Sequence, residues 1–165
     1  GRLFRHDPDG SITLVLDDVD ISNGIGFTPD RAQMYYTESG TRKIYLFDYD
    51  QETGAITNRR VFVETPDDGT IPDGLTVDSD GYVWSARFYS SSLYRYSPQG
   101  VEEPRTELPV KQVTSVIFGG DDLTDMYVTT AGGHNKAQEG PGAGGLFRLN
   151  LGIRGQPEYL SRVCL

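Results

Sequence analysis

The chain has 165 residues, with 15 Lys and Arg against 24 Asp and Glu, a formal charge of −9 at pH 7. Its 36% apolar residues and 20 Gly fit a globular domain large enough to bury a core, not a disordered low-complexity chain. The acid surplus speaks against nucleic acid and anionic membrane as partners, since both reward clustered Lys and Arg. No apolar run reaches the roughly 18–20 residues of a membrane-spanning helix. The polar N-terminus has no signal-peptide pattern, and the single cysteine, Cys164, excludes an internal disulfide or a cysteine-based zinc cluster. A cytoplasmic location is expected, with a neutral or cationic ligand or a divalent metal.

In chain order, Leu3-Phe4-Arg5-His6 and the stretch to residue 17 predict a hairpin turning at Pro8-Asp9-Gly10. A unit over about 22–64 follows. It opens with Ser22-Asn23-Gly24, Ile25 and Phe27, and continues through Met34-Tyr35-Tyr36 and Ile44 to Tyr49, with turns at Thr28-Pro29-Asp30 and Glu52-Thr53-Gly54. A second unit, about 71–108, repeats the plan. It runs from Pro72-Asp73-Gly74, Leu75 and Val77 through Tyr82-Val83-Trp84 to Leu93-Tyr94-Arg95-Tyr96, turning at Asp78-Ser79-Asp80-Gly81 and Pro98-Gln99-Gly100. A third, about 113–160, has Thr114-Ser115-Val116 with Phe118, then Met126-Tyr127-Val128 and Leu146-Phe147-Arg148-Leu149, with a turn at Gly119 to Asp122. The glycine-rich stretch from Gly132 to Gly145 reads as an exposed, adaptable loop.

Alanine occurs six times, and no segment keeps helical spacing over three turns. The short runs are rich in Val, Ile, Tyr and Phe and punctuated by Gly, Pro and Asp. The segments starting at Leu3, Ile44, Leu93 and Leu146 are 41, 49 and 53 positions apart, a period that reads as propeller blades. The fold class is therefore all-β: one partial β-propeller domain over 1–165, with about three four-stranded blades and one hairpin. Propellers close with about four to eight blades, and an unclosed ring leaves sheet edges to cover. The expectation is a piece of a longer chain, with self-association over the open edges as the alternative.

Asn23 and Asp73 occupy equivalent repeat positions, each followed by Gly; Ser115 stands there in the third unit. Residues entering the innermost strand of a blade point at the central axis, so an amide oxygen and a carboxylate are expected at one point. They are hard oxygen ligands for Ca²⁺, Mg²⁺ or Mn²⁺. The glycines would permit close backbone approach and positive φ. Asn-Gly and Asp-Gly are also favoured turn dipeptides, but the hairpin turns already have their own residues.

Together these segments resemble the gluconolactonase/regucalcin (senescence marker protein) family of six-bladed propellers. The resemblance is carried by Asp20-Ile21-Ser22-Asn23-Gly24, Phe47-Asp48-Tyr49-Asp50 with Thr53-Gly54, Thr57-Asn58-Arg59-Arg60, Pro72-Asp73-Gly74, Leu108-Pro109-Val110, Thr114-Ser115 with Phe118-Gly119-Gly120, Met126-Tyr127-Val128-Thr129, and Gly144-Gly145-Leu146-Phe147, in family order. It covers the C-terminal half or slightly more of the family pattern. It implies hydrolysis of a sugar lactone and a divalent cation, Ca²⁺ first and Zn²⁺, Mn²⁺ or Mg²⁺ as alternatives, held by Asn23 and Asp73. Asp73 would also be the catalytic base. The family's third ligand, a glutamate, and its substrate-contacting Arg and Asn have no counterpart among these residues. Little or no hydrolysis is therefore expected of the 165 residues by themselves. The alternative is a non-catalytic calcium-binding propeller module.

Other residues read as structural. Glu38 stands where many relatives carry Asp. His6 and His134 have no second histidine nearby, and Ser22, Ser115 and Ser161 lack a nucleophile elbow. The pairs Asp17-Asp18, Asp67-Asp68 and Asp121-Asp122 fall in turns and are expected to be solvated. Asp78 to Gly81 faintly resembles a calcium loop without its later acids. Tyr36, Trp84 and Tyr127 are assigned to one recurring core position. Phe88 and Tyr89 follow a strand, within reach of a channel mouth, and are assigned no role; Cys164 is an incidental thiol.

Overall fold

Short apolar runs with two-residue alternation, each ended by a turn containing Gly, Asp or Pro, fold here into antiparallel strands joined by tight connections. The computed structural model describes residues 1–160; Ser161 and Cys164 lie outside them. The strands β1 (Leu3–His6) and β2 (Ile12–Leu16) form the hairpin. Next come β3 (Ser22–Phe27), β4 (Gln33–Glu38), β5 (Lys43–Tyr49) and β6 (Ile56–Glu64), one sheet in that order. The second sheet holds β7 (Ile71–Val77), β8 (Val83–Phe88), β9 (Ser92–Tyr96) and the short β10 (Thr106–Glu107). The last holds β11 (Val113–Gly119), β12 (Asp125–Thr130) and β13 (Leu146–Asn150). The architecture is a partial propeller.

Two features of the third unit differ from expectation. Its sheet has three strands among the described residues, not four. After Asn150 the chain leaves the sheet edge and crosses the ends of the other sheets. Ser79 N–H donates to the Arg154 carbonyl (2.9 Å), Gly155 N–H to the Leu123 carbonyl (2.8 Å) and Gln156 Nε2 to the Phe27 carbonyl (2.8 Å). The glycine-rich loop also contains one helical turn, α1 (Lys136–Glu139). The loop is docked by Lys111 N–H donating to the Glu139 carbonyl (2.8 Å), and it buries Ala143.

The core lies between sheets. On β4 the neighbours Tyr35 and Tyr36 point to opposite faces, as strand geometry requires. Tyr36 joins Val19, Met34, Tyr45 and Phe47 against the hairpin. Tyr35 joins Ile44, Leu46, Leu75, Val77, Val83, Tyr94 and Tyr96 between the two four-stranded sheets. Trp84, on the other face of the second sheet, packs with Val113, Val116, Phe118, Met126 and Val128 of the third. Each such buried side chain contributes about 1.5–3 kcal/mol of transfer free energy.

The grouping of Tyr36, Trp84 and Tyr127 needs correction. The pairs Phe27–Met34, Val77–Val83 and Gly119–Asp125 close the three equivalent hairpins. Counting from them, Trp84 is equivalent to Tyr35 and Met126, all three fully buried, whereas Tyr36 and Tyr127 match Ser85. The first hairpin turn, 28–33, is one residue longer than 78–82 and 120–124, so the register of each unit is counted from its own closing pair.

Candidate functional site

The strands β3, β7 and β11 lie side by side at the hub. The pairing of each with its outer neighbour is irregular near its entry: between Ser22 and Ile25, between Pro72 and Leu75, and between Val113 and Ser115. A bulge takes residues out of the ladder and re-aims their side chains. In the first two strands the residues released are Asn23-Gly24 and Asp73-Gly74.

The glycines let the strands approach. A Cβ on Gly24 would run into the Leu75 N–H and stand 2.8 Å from the Asp73 carbonyl oxygen. One on Gly74 would run into the Ser115 side chain and stand 2.8 Å from the Ser115 Cα. Neither glycine has positive φ, so of the two uses expected for them only close approach is found. That approach brings Asn23 and Asp73, fifty positions apart in sequence, into mutual influence.

Asp73 is half-buried. Desolvation pushes its carboxyl above the usual carboxylate range, while the nearby Asn23 amide and the Gly74 N–H pull the other way. Burial wins because no cationic side chain contributes. Asn23 Nδ2 donates to Ser39 Oγ (3.1 Å), and Ser39 Oγ donates to the buried Pro72 carbonyl (2.6 Å). An oxygen donor pair whose carboxylate is desolvated without a counter-charge suits a hard divalent cation. Asn23 and Asp73 thus fit as two of its ligands. Among the described residues, no three His, Cys, Asp or Glu side chains form a metal cluster.

The other candidates have structural surroundings. Glu38 is buried; Oε1 accepts from Asp20 N–H (3.0 Å) and Oε2 from Arg59 (3.2 Å), so it pins the segment leading into β3. The Asp78 carboxylate is fully occupied by Asp80 N–H, Tyr82 N–H, Trp84 Nε1 and Arg95, which leaves no oxygen for a calcium loop. His6 and His134 are exposed. Ser22 Oγ accepts from the Tyr36 hydroxyl (2.8 Å). The paired aspartates at 17–18, 67–68 and 121–122 are exposed, as expected. Phe88 lies opposite Ile71 at the Asp73 end of the second sheet and packs against the exposed Tyr89 at 4.5 Å. Sequence reasoning missed Ser39: nothing within a few residues of it announces a bond to residues 16 and 33 positions away.

Three inner strands side by side, with Asn23 and Asp73 at the bulged entries of two of them, form the hub of a partial β-propeller. The chain matches the profile of the SMP-30/Gluconolactonase/LRE-like region over residues 1–132, and it belongs to that family. It is 48% identical to pentonolactonase XacC of Haloferax volcanii, the alignment covering 100% of this chain and 59% of that protein. It is 37% identical to regucalcin of Gallus gallus, covering 96% and 55%. The crystal structure of a calcium-binding protein, regucalcin, from Agrobacterium tumefaciens superposes with a TM-score of 0.89 at 29% identity, over 96% of this chain and 55% of that one. The chain thus spans little more than half the length of these relatives. No helix among the described residues is long and apolar enough to cross a membrane.

Proposed function

We propose that this chain carries part of the active site of a divalent-metal-dependent sugar-lactone hydrolase, with Asn23 and Asp73 as cation ligands and Asp73 also as general base. The observation that carries the reading is the placement of Asn23 and Asp73 at bulged entries of adjacent inner strands. A bound cation, Ca²⁺ first and Zn²⁺, Mn²⁺ or Mg²⁺ otherwise, would polarise the lactone carbonyl. Asn23 supplies a neutral oxygen and takes no proton. The Asp73 oxygen not engaged as ligand removes a proton from the attacking water. As water adds to the carbonyl carbon and the ring C–O bond breaks, that proton passes to the ring oxygen, leaving the open hydroxy acid. Ligation to a cation weakens a carboxylate as a base, so this role falls to the second Asp73 oxygen alone.

The relative named pentonolactonase supports a sugar lactone as substrate. The relative described as calcium-binding supports a second reading, a propeller that binds Ca²⁺ without turnover. A cytoplasmic location, and self-association through the exposed apolar residues Phe4, Ile12 and Leu14 of the hairpin and Ile117 and Leu146 of the last sheet, complete the proposal. Titration with Ca²⁺, Mn²⁺ and Zn²⁺ tests the site. Binding by the parent chain and its loss in both Asp73→Asn and Asn23→Ala is the expected result; binding unchanged in Asp73→Asn refutes the ligand assignment. Lactone hydrolysis is then assayed in the longest natural form of the chain. There, cation binding without turnover would favour the second reading.

A further inference from the structure

We propose that Ser39 is the positioning residue of this site: its hydroxyl sets which way round the Asn23 amide sits and ties Asn23 to the strand that carries Asp73. The proposal rests on the cation-site reading above, and it follows from counting protons. A carbonyl oxygen only accepts, so in the 2.6 Å contact between Ser39 Oγ and the Pro72 carbonyl the serine must donate. A hydroxyl has one proton to give. Toward Asn23, at 3.1 Å, Ser39 Oγ is therefore an acceptor, and the amide must present Nδ2 to it. The reversed amide would set two oxygen lone pairs against each other. The chain from the Pro72 carbonyl through Ser39 to Asn23 thus has one polarity, and Oδ1 is the amide atom left over for a cation.

The placement adds a second effect. Ser39 follows β4 in the first four-stranded sheet, whereas Pro72 lies on β7 of the second and directly precedes Asp73. Ser39 is itself buried, and its N–H donates to the Ile21 carbonyl (3.0 Å) just ahead of β3. One side chain therefore holds Asn23 and the backbone next to Asp73 across a boundary that no strand ladder bridges. Partners of this kind, one bond removed from a ligand, change metal affinity when lost.

The test begins with the metal-free, ¹⁵N-labelled chain. Nuclear Overhauser effects between the Asn23 Nδ2 protons and the Ser39 Hβ protons are expected, with slowed exchange of that NH₂ group; their absence in the unaltered chain overturns the proposal. In Ser39→Ala the NH₂ group is expected to lose its protection, and Ca²⁺ affinity to fall by about tenfold or more, while Ser39→Thr, which keeps the hydroxyl, stays within about threefold of the parent. Equal affinity in parent and Ser39→Ala, or equal weakness of the Ala and Thr variants, overturns it. Should Ser39→Ala not fold, the effects in the unaltered chain decide the orientation. A parent chain that binds neither Ca²⁺, Mn²⁺ nor Zn²⁺ counts against the cation reading, and the metal-free spectra still decide the polarity of the amide.

Discussion

The indole Nε1–H of Trp84 donates to Asp78 Oδ2 at 3.0 Å, inside the interface between the second and third sheets. Arg95 reaches the same oxygen at 2.9 Å while its guanidinium stacks over the Tyr82 ring at 3.8 Å. The other carboxylate oxygen accepts the Asp80 and Tyr82 N–H groups that form the hairpin turn. Removing the carboxylate leaves a cation and an indole N–H without their acceptor. Asp78→Ala is expected to lower stability by about 3 kcal/mol, read from urea unfolding. Asp78→Asn should leave Ca²⁺ affinity unchanged, because Asp78 has no oxygen to offer a cation.

Asp73 makes the stability of the fold depend on pH. Its carboxyl is raised in the folded chain, chiefly by desolvation. Below the ordinary aspartate range, near pH 4, it is protonated in both folded and unfolded states and costs nothing. As pH rises through the folded value, the unfolded state has already released the proton, and the fold loses stability. Without metal, Asp73→Asn is expected to melt a few degrees above the parent at pH 7 and level with it near pH 3. Added Ca²⁺ should raise the melting temperature of the parent and leave the variant unmoved. Thermal scans with chelator and with Ca²⁺ at the two pH values check both parts.

Gly74 and Gly24 have no room for a methyl group, and the obstacles include backbone atoms that cannot swing aside. Gly74→Ala must push β7 from β11, and Gly24→Ala must push β3 from β7. Each is expected to cost about 1–3 kcal/mol. Gly24→Ala should also weaken Ca²⁺ binding, since it separates the strands bearing Asn23 and Asp73. Denaturation midpoints and calorimetric titration measure the two effects separately.

Glu38 links the start of β3 to the outer strand of its own sheet through Asp20 and Arg59. Glu38→Ala is expected to destabilise by about 2 kcal/mol, because the Asp20 N–H loses its acceptor. Arg59 keeps its stacking over Tyr45 at 3.8 Å. Glu38→Asp, with a shorter arm, should recover part of the loss, read from guanidinium unfolding.

Much of this is legible in the sequence because a repeat writes the same physics several times. Asn23 and Asp73 stand out since each precedes a glycine at the same distance before an apolar run, and proximity at the hub follows from blade geometry. The hairpin turns are legible for the same reason: Asp, Pro and Gly mark them locally. The grouping of Trp84 with Tyr36 and Tyr127 fails because aromatic identity does not fix register, which the closing pairs Phe27–Met34, Val77–Val83 and Gly119–Asp125 set. The path of residues 151–160 is decided by distant partners such as Phe27, 129 positions from Gln156. The role of Ser39 depends on which atom of a far-off carbonyl it meets, information that no local pattern contains.

Asn23 and Asp73 belong to separate sheets with no ladder between them. Their spacing is governed by the seam where β3 lies against β7, a contact of side chains and bare glycine backbone. Seams of this kind loosen at lower free energy than the strands beside them unravel. Mild heat or low denaturant should therefore disperse the two oxygens while every hairpin is still intact.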